Sequence, residues 1–288
     1  MPDATKLIHA GLRPLRAVRW GDPHRGDAHN TVAAGRINQV IWGSMPASSN
    51  FQDAIREAQS SALVGPNVVN KALPYVGGGM ALTAAGVVGG MATMASVGFS
   101  AFNGLSLVAI IPWFILFFVA QNAASKGNNG TALPLMAAFS LLTGFTLTGL
   151  VVQAIAVAGV ASIGIAALAT GLTFVIASVV GRRMSESVGQ ALSAAVGLGL
   201  MGLIIAMLGI FVAGFFVPGI YAATNLLIAG LGTVVFVGMA FVDFYTMPRT
   251  YRDDQYLAGA LGMYLTYINL FIFILRLVIA LQGGGRRD

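Results

Sequence analysis

Apolar residues run along this chain in long blocks with few interruptions. From residue 127 to 181, and again from 187 to 242, there is no Asp, Glu, Lys or Arg. A membrane-crossing helix needs about 20 mainly apolar residues. Seven blocks of that order are predicted as spans, at roughly 73–96, 105–121, 133–151, 154–179, 190–214, 220–247 and 255–281. None alternates as a barrel strand would, and an open strand cannot satisfy its backbone in lipid, so each block must be a helix. The predicted fold class is all-α: a polytopic membrane protein with seven transmembrane helices.

Composition agrees, because 57% hydrophobic against 9% charged residues leaves too little polar surface for a water-soluble domain. The 37 glycines fit close helix approach in lipid. Gly86 and Gly90 in the first span, and Ser193 and Gly197 in the fifth with Gly199 and Gly202 nearby, are candidates for such contacts. With no cysteine, disulfides, thiolate chemistry and Cys-type zinc sites are excluded together. No phosphate-binding glycine loop is present and nothing calls for a cofactor.

The basic residues fall on one side if seven helices alternate: the N-terminal segment, Lys126, Arg182 with Arg183, and Arg249 with Arg252. Only Arg286 and Arg287 oppose this. The positive-inside rule then places the N-terminus in the cytoplasm and the C-terminus outside, and the expected setting is a prokaryotic inner or plasma membrane. The formal charge of +6 is explained by topology and anionic-lipid contact, so nucleic acid is not needed as a partner.

The chain is expected to divide into a polar extension (1–71), the helical membrane domain (72–282) and a short basic tail (283–288). In the extension, Leu7, Ile8, Leu12, Leu15 and Val18 share one helical face, although Pro14 interrupts it. A second helix is predicted over 51–64, with Asn50 as N-cap. The extension reads either as a flexible tail or as an element that docks a protein partner or lipid surface. Its arginines could also mark a transit peptide, a reading diluted by Asp3, Asp22 and Asp27.

Catalysis has no constellation here. His9, His24 and His29 all lie in the extension, which removes a helix-borne zinc motif and a serine–histidine pair. An aspartyl intramembrane protease needs two aspartates at membrane depth, and Asp243 is the only candidate, so a non-enzyme is expected. Asp243 near the end of the sixth span should face the bundle or a wet cavity, since an ionised carboxylate in lipid costs about 2.5–3.5 kcal/mol at helix centre. The alternative is a helix-end charge paired with Arg249 or Arg252. Arg276 can snorkel outward, and Asn269 is expected to hydrogen-bond across helices as packing glue.

The stretch Ala260-Leu261-Gly262-Met263-Tyr264-Leu265-Thr266-Tyr267-Ile268-Asn269-Leu270-Phe271, continuing to Leu275-Arg276-Leu277, resembles the last-helix signature of the Bax inhibitor-1 (transmembrane Bax inhibitor motif, TMBIM) family. Residues 238–246, with Asp243 followed by an aromatic and hydroxyl residues, resemble that family's sixth-helix motif. Thr143-Gly144-Phe145-Thr146-Leu147-Thr148 is similar to its third helix. The likeness covers most of 73–288.

The resemblance implies a bundle whose last helix is central, wrapped by two groups of three. It also implies a pH-sensitive calcium leak controlled by two aspartates, on helices six and seven, and an arginine from helix two. Here Asp243 matches the first aspartate, Thr266 stands at the second, and residues 105–121 hold no arginine. Calcium prefers six to eight oxygens, so Asp243 is a site of transient calcium contact at most, and Asp243 with Thr266 forms a candidate gate. Two expectations follow: an ion leak for calcium or protons with a degenerate gate, or a non-transporting scaffold or accessory subunit.

Overall fold

A computed structural model describes residues 63–284, and within them the chain is helical from end to end apart from short links. Seven long helices follow in order: α1 (Val68–Val97), α2 (Phe99–Ser125), α3 (Asn129–Ala158), α4 (Ala161–Val180), α5 (Glu186–Ala213), α6 (Ile220–Thr250) and α7 (Tyr256–Gly284). A single 3-10 turn, Gly181–Arg183, extends α4. All seven helices are long and apolar enough to cross a membrane. The links are short enough to force neighbours antiparallel. A single residue, Gly98, joins α1 to α2 at φ +84°, a conformation that a Cβ disfavours.

The last helix sits in the middle. α7 packs against α1, α2, α3, α4 and α6, and Leu257, Ala258, Leu261, Tyr264, Leu270 and Leu275 along it are buried. α2 and α5 are peripheral by contrast. Leu107, Val108, Ile111 and Phe118 on α2, and Leu198, Ile205 and Phe211 on α5, are exposed. Apolar side chains on an outer helix face are what lipid contact requires.

The tightest seam is between α1 and α3, where small residues let the backbones touch. A Cβ on Gly86 would collide with the Leu141 carbonyl, and one on Gly144 with the Thr83 carbonyl. Gly90 lies against the Thr148 hydroxyl in the same way. The expected packing role of Gly86 and Gly90 is therefore met at defined atoms. In α5, Gly199 has Val235 beside it, whereas Gly197 and Gly202 have open space.

Helix α1 begins at Val68, about five residues before the predicted span. Val68 and Val69 are buried in the bundle beside Ala72. The predicted helix over residues 7–18 lies outside the described residues. So does the one over 51–64 except for Leu63 and Val64, which are not helical. α7 continues to Gly284, and the remaining tail lies outside the described residues as well.

One end of the bundle is laced together by polar contacts around the α6–α7 loop. The Gly65 N–H donates to the Pro248 carbonyl at 3.0 Å. The Asp253 carboxylate accepts from the Asn67 backbone N–H (2.9 Å) and side-chain amide (3.1 Å). Lys71 donates to the Asp253 carbonyl (3.2 Å). On the other side of the loop, Asn129 donates to the Asp254 carbonyl (2.9 Å) and Gln255 to the Ser125 carbonyl (2.5 Å). Arg182 reaches Asn70 at 3.0 Å. The start of α1 and the three links that carry Lys126, Arg182 and Arg252 therefore share one face of the bundle.

Candidate functional site

The α6–α7 pair carries the membrane-depth carboxylate. Along α6, Ile228, Gly232, Phe236, Ala240, Phe244 and Met247 are buried. Their spacing of three and four residues makes one stripe, and Asp243 lies on it. Antiparallel pairing sets the register: Phe236 stacks on Phe273 with ring centroids 5.5 Å apart, and Met247 covers Gly259. Between these two contacts Asp243 lies beside the Thr266 hydroxyl of α7. Asp243 Oδ2 is shut away from solvent with no hydrogen-bond partner.

One residue beyond each of these, Phe244 and Tyr267 both pack on Phe174 of α4, at 5.9 and 5.0 Å between ring centroids. Phe174 thus ties α4 to the residues that follow Asp243 and Thr266 on α6 and α7.

Neither of the two arginines considered as its partners bonds it. Arg249 donates to the Tyr245 carbonyl (2.6 Å) and lies over the Tyr245 ring at 4.1 Å, with its Nε buried and unbonded. Arg252 forms an exposed bidentate pair with Asp254 at 3.1 Å for each bond. That pair holds the Asp254 carboxyl below the usual carboxylate range, through the hydrogen bond from Arg252 first, and raises the Arg252 guanidinium in turn. Asn269 does not bridge helices either. Its amide donates to the Leu265 carbonyl of its own helix at 2.8 Å.

A second polar cluster, unsuspected in the sequence, lies at the meeting of α1, α2, α3 and α7. The Tyr264 hydroxyl is 2.6 Å from the Thr83 hydroxyl, and Thr83 also reaches the carbonyls of Gly79 (2.9 Å) and Ser140 (3.2 Å). Trp113 donates to the Thr143 hydroxyl at 2.8 Å. A signal was available: Thr83, Ser140, Thr143 and Thr148 recur in two otherwise apolar spans. Hydroxyls are so easily accommodated in lipid-embedded helices that their presence alone does not mark a network.

Among the described residues no group of three or more His, Cys, Asp or Glu side chains comes together. One carboxylate and one hydroxyl at Asp243 do not make a resident calcium site, which wants six to eight oxygens.

With this geometry in view, comparison with known proteins settles the lineage. The model of the family described as inhibitor of apoptosis-promoting Bax1 matches residues 65–283. The chain belongs to the Bax inhibitor family. Its relatives include an uncharacterized protein of Lactococcus lactis, 29% identical over 192 residues, which covers 63% of this chain and 76% of the relative. An uncharacterized membrane protein of Streptococcus pyogenes is 30% identical over 188 residues, or 62% and 74% of the two chains. The Bax inhibitor 1 of Schizosaccharomyces pombe is 37% identical over 70 residues, 24% of this chain and 26% of that one. The membership covers the whole described bundle and begins at Gly65, where the first hydrogen bond to the α6–α7 segment is made.

Proposed function

We propose that this Bax inhibitor family protein is a non-enzymatic membrane protein that permits a slow, pH-sensitive cation leak, with Asp243 as the gating carboxylate and Thr266 as the hydroxyl beside it. The carrying observation is the Asp243 Oδ2 atom, enclosed and without a partner. A charge kept only for helix-end pairing would meet an arginine, and neither Arg249 nor Arg252 bonds Asp243. An ionised carboxylate left unanswered inside a bundle costs several kcal/mol unless a proton, water or cation reaches it. Such a group responds to what arrives.

With one acid the path is poorly selective. Protons and monovalent cations fit it as well as calcium does, since a single carboxylate and a hydroxyl supply few of the oxygens that calcium prefers. The basic loops share one face with the start of α1, and by the positive-inside rule that face is cytoplasmic. The C-terminus then lies outside. The bacterial relatives fit a prokaryotic inner or plasma membrane. The test is cation flux into dye-loaded proteoliposomes: the protein should exceed empty vesicles, and Asp243→Asn should change that excess.

A second reading, a non-transporting scaffold or accessory subunit docking a partner through residues 1–71, is favoured by two specific features. The polar lacing around Asp253 closes the basic face of the bundle. At the opposite end, Arg276 lines a large cleft and repels cations. Flux equal to that of empty vesicles would favour this reading.

A further inference from the structure

The end of the bundle away from the basic loops holds a cleft of about 1010 Å³ between α3, α5, α6 and α7. Its back wall is the central helix, and there Arg276 is part of the lining. Arg276 is partly buried, so it does not simply snorkel along the outside of the protein. Among the described residues it has no hydrogen bond or ion pair, and no acid lines the cleft. The described acids lie elsewhere: Glu186, Asp253 and Asp254 at the basic face, and Asp243 two turns from it.

The other lining groups fall into two kinds. Gln153 and Asn225 offer amides that are not used in any hydrogen bond within the described residues. The Tyr221 and Thr224 hydroxyls donate instead to the carbonyls of Phe211 (3.2 Å) and Ile220 (2.7 Å). The rest of the wall is aliphatic or aromatic, with Leu150, Met207, Ile210 and Ile279 among it. Phe211 and Tyr221 are more than half exposed. α5 packs chiefly on α6, so the cleft stays open to one side of the bundle.

Depth fits the bilayer. Arg276 lies eight residues before Gly284, Gln153 five before Ala158 and Asn225 five after Ile220, which is about 8–12 Å from the helix ends at 1.5 Å per residue. Helices of 29–31 residues exceed a hydrocarbon core of about 30 Å by several Å at each end. The polar groups therefore sit close under the headgroup layer, and the apolar wall continues beneath them.

We propose that this cleft binds an anionic phospholipid from the leaflet on that side, its phosphate held by Arg276 with Gln153 and Asn225, and an acyl chain along the apolar wall. A guanidinium matches a phosphodiester with two parallel hydrogen bonds. The lipid supplies both the anion that Arg276 lacks and the apolar surface that the cleft presents. This assignment is independent of the gate at Asp243.

The test is native mass spectrometry and thermal melting of the full chain in detergent, titrated with phosphatidylglycerol, phosphatidylcholine or inorganic phosphate. The wild type should retain phosphatidylglycerol and melt higher with it, and phosphatidylcholine should be retained weakly. Arg276→Gln should weaken phosphatidylglycerol retention by about tenfold, and Arg276→Lys, which keeps charge but not the planar fork, should fall between. If Arg276→Gln does not fold, the double variant Gln153→Leu with Asn225→Leu keeps the arginine and should still weaken retention. Equal retention of the two lipids, or no loss in a folded variant, overturns the site. A shift reproduced by inorganic phosphate alone overturns the lipid as its occupant.

Discussion

Asp243 and Thr266 face one another across antiparallel α6 and α7, and the Asp243 Oδ2 atom is enclosed there without a hydrogen-bond partner. A threonine can donate one hydrogen bond and no more, so this facing pair leaves the carboxylate half answered. The resembled family is expected to carry a second acid at position 266. The consequence of its absence is testable by restoring it.

Thr266→Asp sets two carboxylates together. Like charges in a partly dry site cannot both ionise freely and titrate as a pair. The variant should gain a calcium-dependent, acid-sensitive flux that the parent shows weakly. The folding cost is modest if water reaches the site and several kcal/mol if it does not. A melting curve in detergent must therefore show a folded protein before flux is read. A folded variant with no new calcium response would remove the pore from the account.

The α1–α3 seam and the Tyr264 cluster should differ in what they cost to break. Gly144→Leu drives a side chain into the Thr83 carbonyl, and overpacking of about 1–3 kcal/mol or more is expected. Tyr264→Phe removes one hydroxyl whose partner Thr83 keeps two carbonyl acceptors, so the loss should be about 0.5–1.5 kcal/mol. Denaturation in mixed micelles measures both. The ranking fails if Tyr264→Phe is the more damaging change.

The clasp at Asp253 predicts a local effect. Asp253→Ala removes the acceptor of the Asn67 N–H and side-chain amide at the start of α1 and the 3.8 Å ion pair with Lys71, whose hydrogen bond to the carbonyl of residue 253 remains. Part of this network is exposed, so the overall loss should be only about 1 kcal/mol. Hydrogen exchange should nevertheless rise in the first turns of α1 and in residues 251–255, with the centre of α7 unchanged. Uniform acceleration throughout the bundle would contradict a local clasp.

Sidedness can be read chemically because the chain has no cysteine of its own. Single cysteines at Lys126 and Arg183 should react only from the cytoplasmic side, and those at Val160 and Val217 only from the other. All four positions are exposed in links or helix ends and lie away from the contacts that lace the loops. Labelling of Lys126→Cys and Val160→Cys from the same face would refute seven crossings.

Much of this architecture is legible in the sequence because lipid allows few solutions. A charge-free stretch of the length of 187–242 has to cross and return. Asp243 stands out for the same reason, as an isolated charge at membrane depth. What stayed hidden involves partners far apart in sequence. Asn67, Asn70 and Lys71 make the start of α1 look like a polar extension, yet their side chains bond to loops more than 100 residues away while Val68 and Val69 are buried. Arg276 reads as a snorkelling residue, and only the central place of α7 turns it into the wall of a cleft. Asn269 looks like interhelical glue, but its amide donates to the carbonyl four residues back on its own helix.

The central claim, that Asp243 gates a leak, is tested most directly by cation flux through proteoliposomes of wild type and Asp243→Asn across a pH series. Asparagine keeps the shape and the hydrogen-bonding oxygen but neither gains nor loses a proton in the range tested. The wild type should show flux above empty vesicles that changes with pH through one titration, and Asp243→Asn should give a flux that no longer varies with pH. Superimposable pH profiles for the two proteins would contradict the account, and Asp243 would then be a structural residue.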